Sequence, residues 1–160
     1  MVDSSYQETG KSLAILKEVI LLDWETLLRK VVDSSEHEST IILLDHIPDI
    51  LNQLEIILKE GRVDERELGK HHGYCRSLMS KYSVADVLTE YSLLREVLIH
   101  HLYPMGGINC TKLVYKFLDI LAKYSVIEYL KSQETLRSLP VEPLGSETKE
   151  ILENPIIKHR

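Results

Sequence analysis

Apolar residues recur every three to four positions along most of the chain, the spacing of helix faces rather than of strands. In the first stretch Leu13, Leu16, Ile20, Trp24, Leu27 and Val31 fall on one side, which predicts a helix from about Glu8 to Val32. Ile15, Val19 and Leu22 fall on the opposite side of the same helix. A surface helix keeps its outward face polar. This one is therefore expected to be covered on two sides, either as a central helix or by a second subunit.

Asp33-Ser34-Ser35 closes that helix, and Ser35 with Glu38 three residues on has the spacing of a capping box for a short helix. Proline is welcome in a first turn, so Pro48 places a second helix from about Ile47 to Glu60, ahead of Gly61. Asp64 with Glu67 opens a third helix lasting to about Lys81, and Ser83 with Asp86 opens a fourth lasting to Leu102. Tyr103-Pro104-Met105-Gly106-Gly107 reads as the clearest loop. Asn109 or Thr111 starts a last long helix to about Leu136. Leu113, Phe117, Ile120, Tyr124 and Ile127 form its stripe, with Val114, Leu118 and Leu121 beside it.

The first and last long helices thus carry apolar surface beyond what one core face needs. Ile15, Val19, Leu22, Val114, Leu118 and Leu121 are the expected homodimer face, the alternative being that the fold buries them itself. From Leu139 onward Pro140, Pro143, Gly145 and Pro155 leave no room for a long helix. The expectation is a single all-α domain over 1–138, of about five to six helices, followed by a linker or tail over 139–160.

Composition narrows this picture. A length of 160 residues fits one domain, and a chain of that length buries roughly 70% of its unfolded surface. Seven Gly and five Pro in the whole chain argue for long regular elements. The formal net charge of −6, with no basic block, speaks against nucleic-acid binding. Cys75 and Cys110 stand in no CxxC motif and read as two reduced thiols. The first residues are polar, and no apolar run approaches the ~20 residues of a membrane span. The expected location is the cytoplasm.

Candidate chemistry concentrates in HHGYCR and TEYSLLR. Leu68, His72, Cys75 and Met79 share a stripe, which turns His72 inward, sets His71 at the edge and puts Arg76 on the flank. In the next helix Tyr91 and Arg95 fall within the stripe of Val84, Val87, Leu88, Leu94 and Leu98. An arginine on an apolar face needs an acceptor, and Glu90, Asp86 and Asp45 are the carboxylates in reach. His72, Gly73, Arg76, Glu90, Tyr91 and Arg95 therefore form the expected polar pocket, either a structural network or an anion- or pH-responsive one. His100-His101 reads as a helix C-terminal cap favoured by the macrodipole. Neighbouring histidines diverge by about 100° on a helix, so His71-His72 and His100-His101 are not ligand pairs and no metal is expected. LDHIPDIL places its proline too early for a kinase phosphoacceptor box, and HHGYCR lacks the Lys-Gly that follows a phosphotransfer histidine. Signatures of nucleotide or hydrolytic chemistry are absent, so no catalytic residue and no cofactor is expected.

LLDHIPDILNQL, HHGYCR and LTEYSLLREVLIHHL together resemble the N-terminal sensory domain of RsbR-type stressosome regulators, the RsbRD-N-like family, which also precedes bacterial histidine kinase cores. The matching positions are Asp45, Pro48, His72, Gly73, Arg76, Glu90, Tyr91, Leu94 and Arg95, and the resemblance spans roughly residues 10–130. It implies a non-haem, globin-like helical domain that dimerises and passes a signal to an attached output domain. After residue 140 the chain shows no STAS, kinase or DNA-binding output, so it is either free-standing or an excised sensory region.

The leading expectation is a non-enzymatic sensory or protein-interaction domain. A haem or small-ligand carrier, with His72 or His46 as axial ligand, is a second class, weakened by the scarcity of Phe for lining a flat-cofactor pocket. A phosphotransfer domain using His71 or His72 is a third.

Overall fold

A computed structural model describes residues 4–35, 38–61 and 65–139. The described residues form helices joined by short turns and connections, with no strand among them. Helix α1 spans Ser4–Val31, followed by a single 3-10 turn at Asp33–Ser35. Then come α2 (Thr40–Leu44), α3 (Ile47–Glu60), α4 (Glu65–Ser77) and α5 (Val84–Ser138). None of these helices is long and apolar enough to cross a membrane.

Helix α1 begins four residues earlier than its apolar pattern predicts. Ser35 does not cap the short helix. Its hydroxyl donates backward to the Leu28 and Val32 carbonyls and closes the end of α1, while Ser39 accepts from the Ile42 amide and caps α2. The expectations for α3 and for the start of α5 hold. Pro48 lies in the first turn of α3, and Gly61 ends that helix in the left-handed conformation at φ 76°. Ser83 and Asp86 form a reciprocal capping box. Helix α4 stops at Ser77 rather than Lys81, and the proposed Asp64 cap lies outside the described residues, as does the tail from Pro140.

The expected loop at 103–107 is mostly helix. Pro104 sits inside α5, and the chain reverses at one residue, Gly107, with φ 55° and ψ −151°. Residues with side chains essentially never occupy that region. Two antiparallel arms result, 84–106 and 108–138, joined across their length by Arg95 with Asp119 and by Tyr91 with Ser125. A Cβ on Gly107 would meet nothing within 4 Å, so only backbone strain opposes a substitution there. Gly107→Ala is expected to cost about 1–3 kcal/mol in a denaturant melt, without loss of helix content. An unchanged midpoint would show that the reversal does not depend on glycine.

Trp24 of α1 reaches the first arm near Glu90, and His101 on that arm bonds Asp23 of α1 at 2.8 Å. Lys17 of α1 pairs with Glu55 of α3. Helix α4 meets both arms of α5, through Glu90 on the first and through Leu121 and Ser125 on the second. The core runs through Leu13, Ile20, Trp24 and Leu28 of α1, Leu51, Leu54 and Leu58 of α3, and the inner faces of both arms.

This packing corrects the expected dimer face. Val114, Leu118 and Leu121 are fully buried against the domain's own helices, while Ile127 of the stripe predicted to face inward is exposed. The arc of the last helix is wide because α4 and the first arm of α5 both pack on it. Ile15, Val19 and Leu22, in contrast, stand out from α1 at 80%, 46% and 65% exposure. Val31, placed on the inward stripe, is exposed as well, and Val32 takes its place in the core.

Candidate functional site

The polar residues of HHGYCR and TEYSLLR meet in the interior. Glu90 is 1% exposed, Arg76 1% and His72 0%. One Glu90 carboxylate oxygen accepts from Arg76 Nε at 2.7 Å and from the Tyr82 hydroxyl at 2.6 Å. The other accepts from His72 Nε2 at 2.6 Å. The Arg76 guanidinium reaches further, donating to the carbonyls of Ile42 at 3.0 Å and Leu43 at 2.6 Å. Those carbonyls belong to the last turn of α2, where helix geometry leaves acceptors without intrahelical partners. Arg76 therefore ties α4 to the end of α2 while Glu90 balances its charge. Trp24 Nε1 donates to the Glu90 backbone carbonyl at 3.0 Å and brings α1 into the same node.

Charge at this node is settled by the partners. Burial works against the Glu90 carboxylate, but His72 and Arg76 beside it, with hydrogen bonds from His72 and Tyr82, outweigh burial and hold its pKa below the usual carboxylate range. Burial pushes the His72 pKa down, and the Glu90 carboxylate does not reverse it. An ionised carboxylate has no proton to give, so His72 Nε2 is the donor in its 2.6 Å contact with Glu90. His72 Nδ1 has no hydrogen-bond partner among the described residues.

A second chain of hydrogen bonds runs beside the first. Tyr91 and Ser125 share a bond of 2.7 Å, and the Ser125 hydroxyl donates to the Gly69 carbonyl at 2.7 Å. Gly69 and Gly73 allow this approach. A Cβ at Gly73 would lie 2.1 Å from the Ser125 carbonyl oxygen, and one at Gly69 would lie 2.7 Å from that of Leu121. The Gly-x-x-x-Gly spacing lays one face of α4 directly on backbone of the second arm of α5.

Of the six expected pocket residues, the structure brings His72, Gly73, Arg76, Glu90 and Tyr91 together and leaves Arg95 out. Arg95 sits on the flank of α5, paired with Asp119 and stacked 4.5 Å from the Tyr115 ring centroid. Leu88, placed on the same stripe, is 46% exposed, because the buried face runs through Val87, Glu90, Tyr91, Leu94 and Leu98. Asp86 is spent on the Ser83 cap, so Glu90 alone of the three candidate carboxylates answers the arginine. Since the helix continues past residue 102, His100-His101 is no C-terminal cap.

Sequence reasoning missed a histidine and cysteine grouping. His46 Nε2 lies 3.2 Å from Cys75 Sγ, and the His46 and His71 ring centroids are 3.9 Å apart. His71 and Cys75 are four residues apart on one helix, a spacing that puts both on one face, and that was the available signal. The Asp45 carboxylate stands 2.9 Å from His46 Nε2. Cys110 is buried in the core, where desolvation pushes its thiol up to about 11.

Compared with known proteins, the chain matches no family model, and no curated protein or solved structure is significantly similar to it.

Proposed function

We propose that the chain is a non-enzymatic sensory or regulatory domain of bacterial signal transduction, of stressosome or two-component type, that acts in the cytoplasm by binding protein partners and pairing with a second copy. This is the function, and the non-haem globin-like shape, that the resemblance to the RsbRD-N-like family implies. One observation carries the reading. Residues scattered over HHGYCR and TEYSLLR converge on one buried node, with Arg76, Glu90, His72 and Tyr91 joining or adjoining α2, α4 and both arms of α5. A polar core that links this many helices is suited to setting their relative positions, which a signalling domain must convey to a partner. The alternatives fit His72 less well. His72 is fully buried with Nε2 committed to Glu90, which leaves that nitrogen neither to haem iron nor to a phosphoryl donor.

The face for pairing is the outer side of α1, with Ile15 and Leu22 at its most exposed points. Apolar residues aligned on one helix face and left to solvent mark an interaction surface. Light scattering on the purified chain is expected to give a dimer, and the double variant Ile15→Asp, Leu22→Asp a monomer with unchanged helix content. A parent that is monomeric at tens of micromolar, or a variant that stays dimeric, removes this face from the proposal.

A further inference from the structure

We propose that His46, His71 and Cys75 form a binding site for a single borderline transition cation, of which zinc is the best fit. The inference does not rest on the signalling reading above. His46 precedes the first turn of α3, while His71 and Cys75 lie one turn apart on α4, so an ion here would bridge two segments distant in sequence. One ring nitrogen of each histidine and the cysteine sulfur all lie within 4.8 Å of one another. Bond lengths of about 2.0–2.1 Å to nitrogen and 2.3 Å to sulfur put tetrahedral ligand atoms about 3.3–3.6 Å apart. The 3.2 Å between His46 Nε2 and Cys75 Sγ is close to that edge length. His71, whose side chain is exposed and whose ring lies against that of His46, supplies the third corner.

The donor set selects the ion. Two imidazoles and a thiolate suit zinc and its neighbours rather than magnesium or calcium, which prefer oxygen. Asp45 beside His46 supplies a second negative charge against a divalent cation. Exposure is graded: His46 is buried, Cys75 intermediate and His71 open to solvent, which provides an entry path. His46 Nε2 faces both the Asp45 carboxylate and Cys75 Sγ, so binding through that nitrogen takes the ring in its Nδ1–H tautomer. Burial and the Asp45 carboxylate raise the Cys75 thiol, so binding breaks its S–H bond, forms a sulfur–metal bond and releases one proton to solvent.

Cobalt(II) reports directly on such a site, because thiolate-to-cobalt charge transfer absorbs in the near ultraviolet. Titration of the reduced full chain with cobalt(II) should saturate at one equivalent with that absorption, and zinc(II) should displace it. Cys75→Ser should abolish the band. His71→Ala should weaken binding by about tenfold or more, at least the loss seen when groups supporting a metal site are removed. Cys110→Ala and His100→Ala should leave the titration unchanged. His71 and Cys75 are not core residues, and far-ultraviolet dichroism of each variant verifies that it is folded. A folded parent without the band, or a band that survives Cys75→Ser or disappears in Cys110→Ala, overturns the proposal.

Discussion

Glu90→Ala is expected to lower the stability of the domain by about 3–5 kcal/mol, the cost of removing one partner from a buried ion pair. The substitution strands the Arg76 guanidinium, 1% exposed, without a counter-charge, leaving it the two carbonyls at the end of α2, the Met79 sulfur and the Tyr82 ring. It also removes the acceptor from His72 and from the Tyr82 hydroxyl, both of which donate to that carboxylate. Arg95→Ala supplies the contrast. Its partner Asp119 is largely exposed, and pairs of that kind contribute about 0–1 kcal/mol. Urea melts of both variants check the difference, and equal losses would show that the node is not the ion-paired core described above. The pH dependence has a defined sign. A carboxyl whose folded pKa is depressed below its usual 4.5 stabilises the fold above that value, and this stabilisation is lost as pH falls through the folded pKa. The groups facing Glu90 are His72, Arg76 and Tyr82. On the acid side the parent should therefore lose stability more steeply than Glu90→Ala.

Gly73→Ala should destabilise the protein even though alanine is the better helix former. In an exposed helix interior that exchange gains roughly 0.8–1.0 kcal/mol. Here the added methyl would stand 2.1 Å from the Ser125 carbonyl oxygen, with the Ser125 Cα and carbonyl carbon 2.7 Å away. These are backbone atoms that no side-chain rotation can move aside, so α4 must shift off the second arm of α5. Overpacking of this kind costs about 1–3 kcal/mol, and a backbone clash this close falls at the upper end. Displacing α4 also stretches the bonds from Tyr91 to Ser125 and from Ser125 to the Gly69 carbonyl. The sign of the change in melting temperature decides the matter. A rise would mean that α4 and α5 are not in backbone contact at this point.

Much of this architecture is readable from the chain alone, and for a local reason. The Ser83–Asp86 capping box, Pro48 in a first turn and Gly61 in the left-handed conformation each act within one helical turn. Their outcome depends on little beyond neighbouring residues. The inward position of His72 follows from its own helix period, as does its nearness to Glu90 once a short connection returns the chain. The same reasoning anticipated an acceptor for a buried arginine, because an unpaired charge in the core is not sustainable.

Choices between helices required the whole fold. Periodicity states which residues share a side of a helix, but rotation about the helix axis is set by the sum of contacts with every neighbour. That is why Val114, Leu118 and Leu121 turned inward and Ile127 outward, and why Arg76 rather than Arg95 met Glu90. The reversal at Gly107 came from the same source: Pro104 looks like the stronger breaker, yet antiparallel packing of the two arms places the turn where only glycine can adopt the angles. His46 came to lie beside His71 and Cys75 through the packing of the α2–α3 junction on α4, a long-range proximity that no spacing along the chain encodes. Local chemistry determined the helices and their ends. The tertiary structure decided which faces meet, because packing energy belongs to the assembly of helices and to no single one of them.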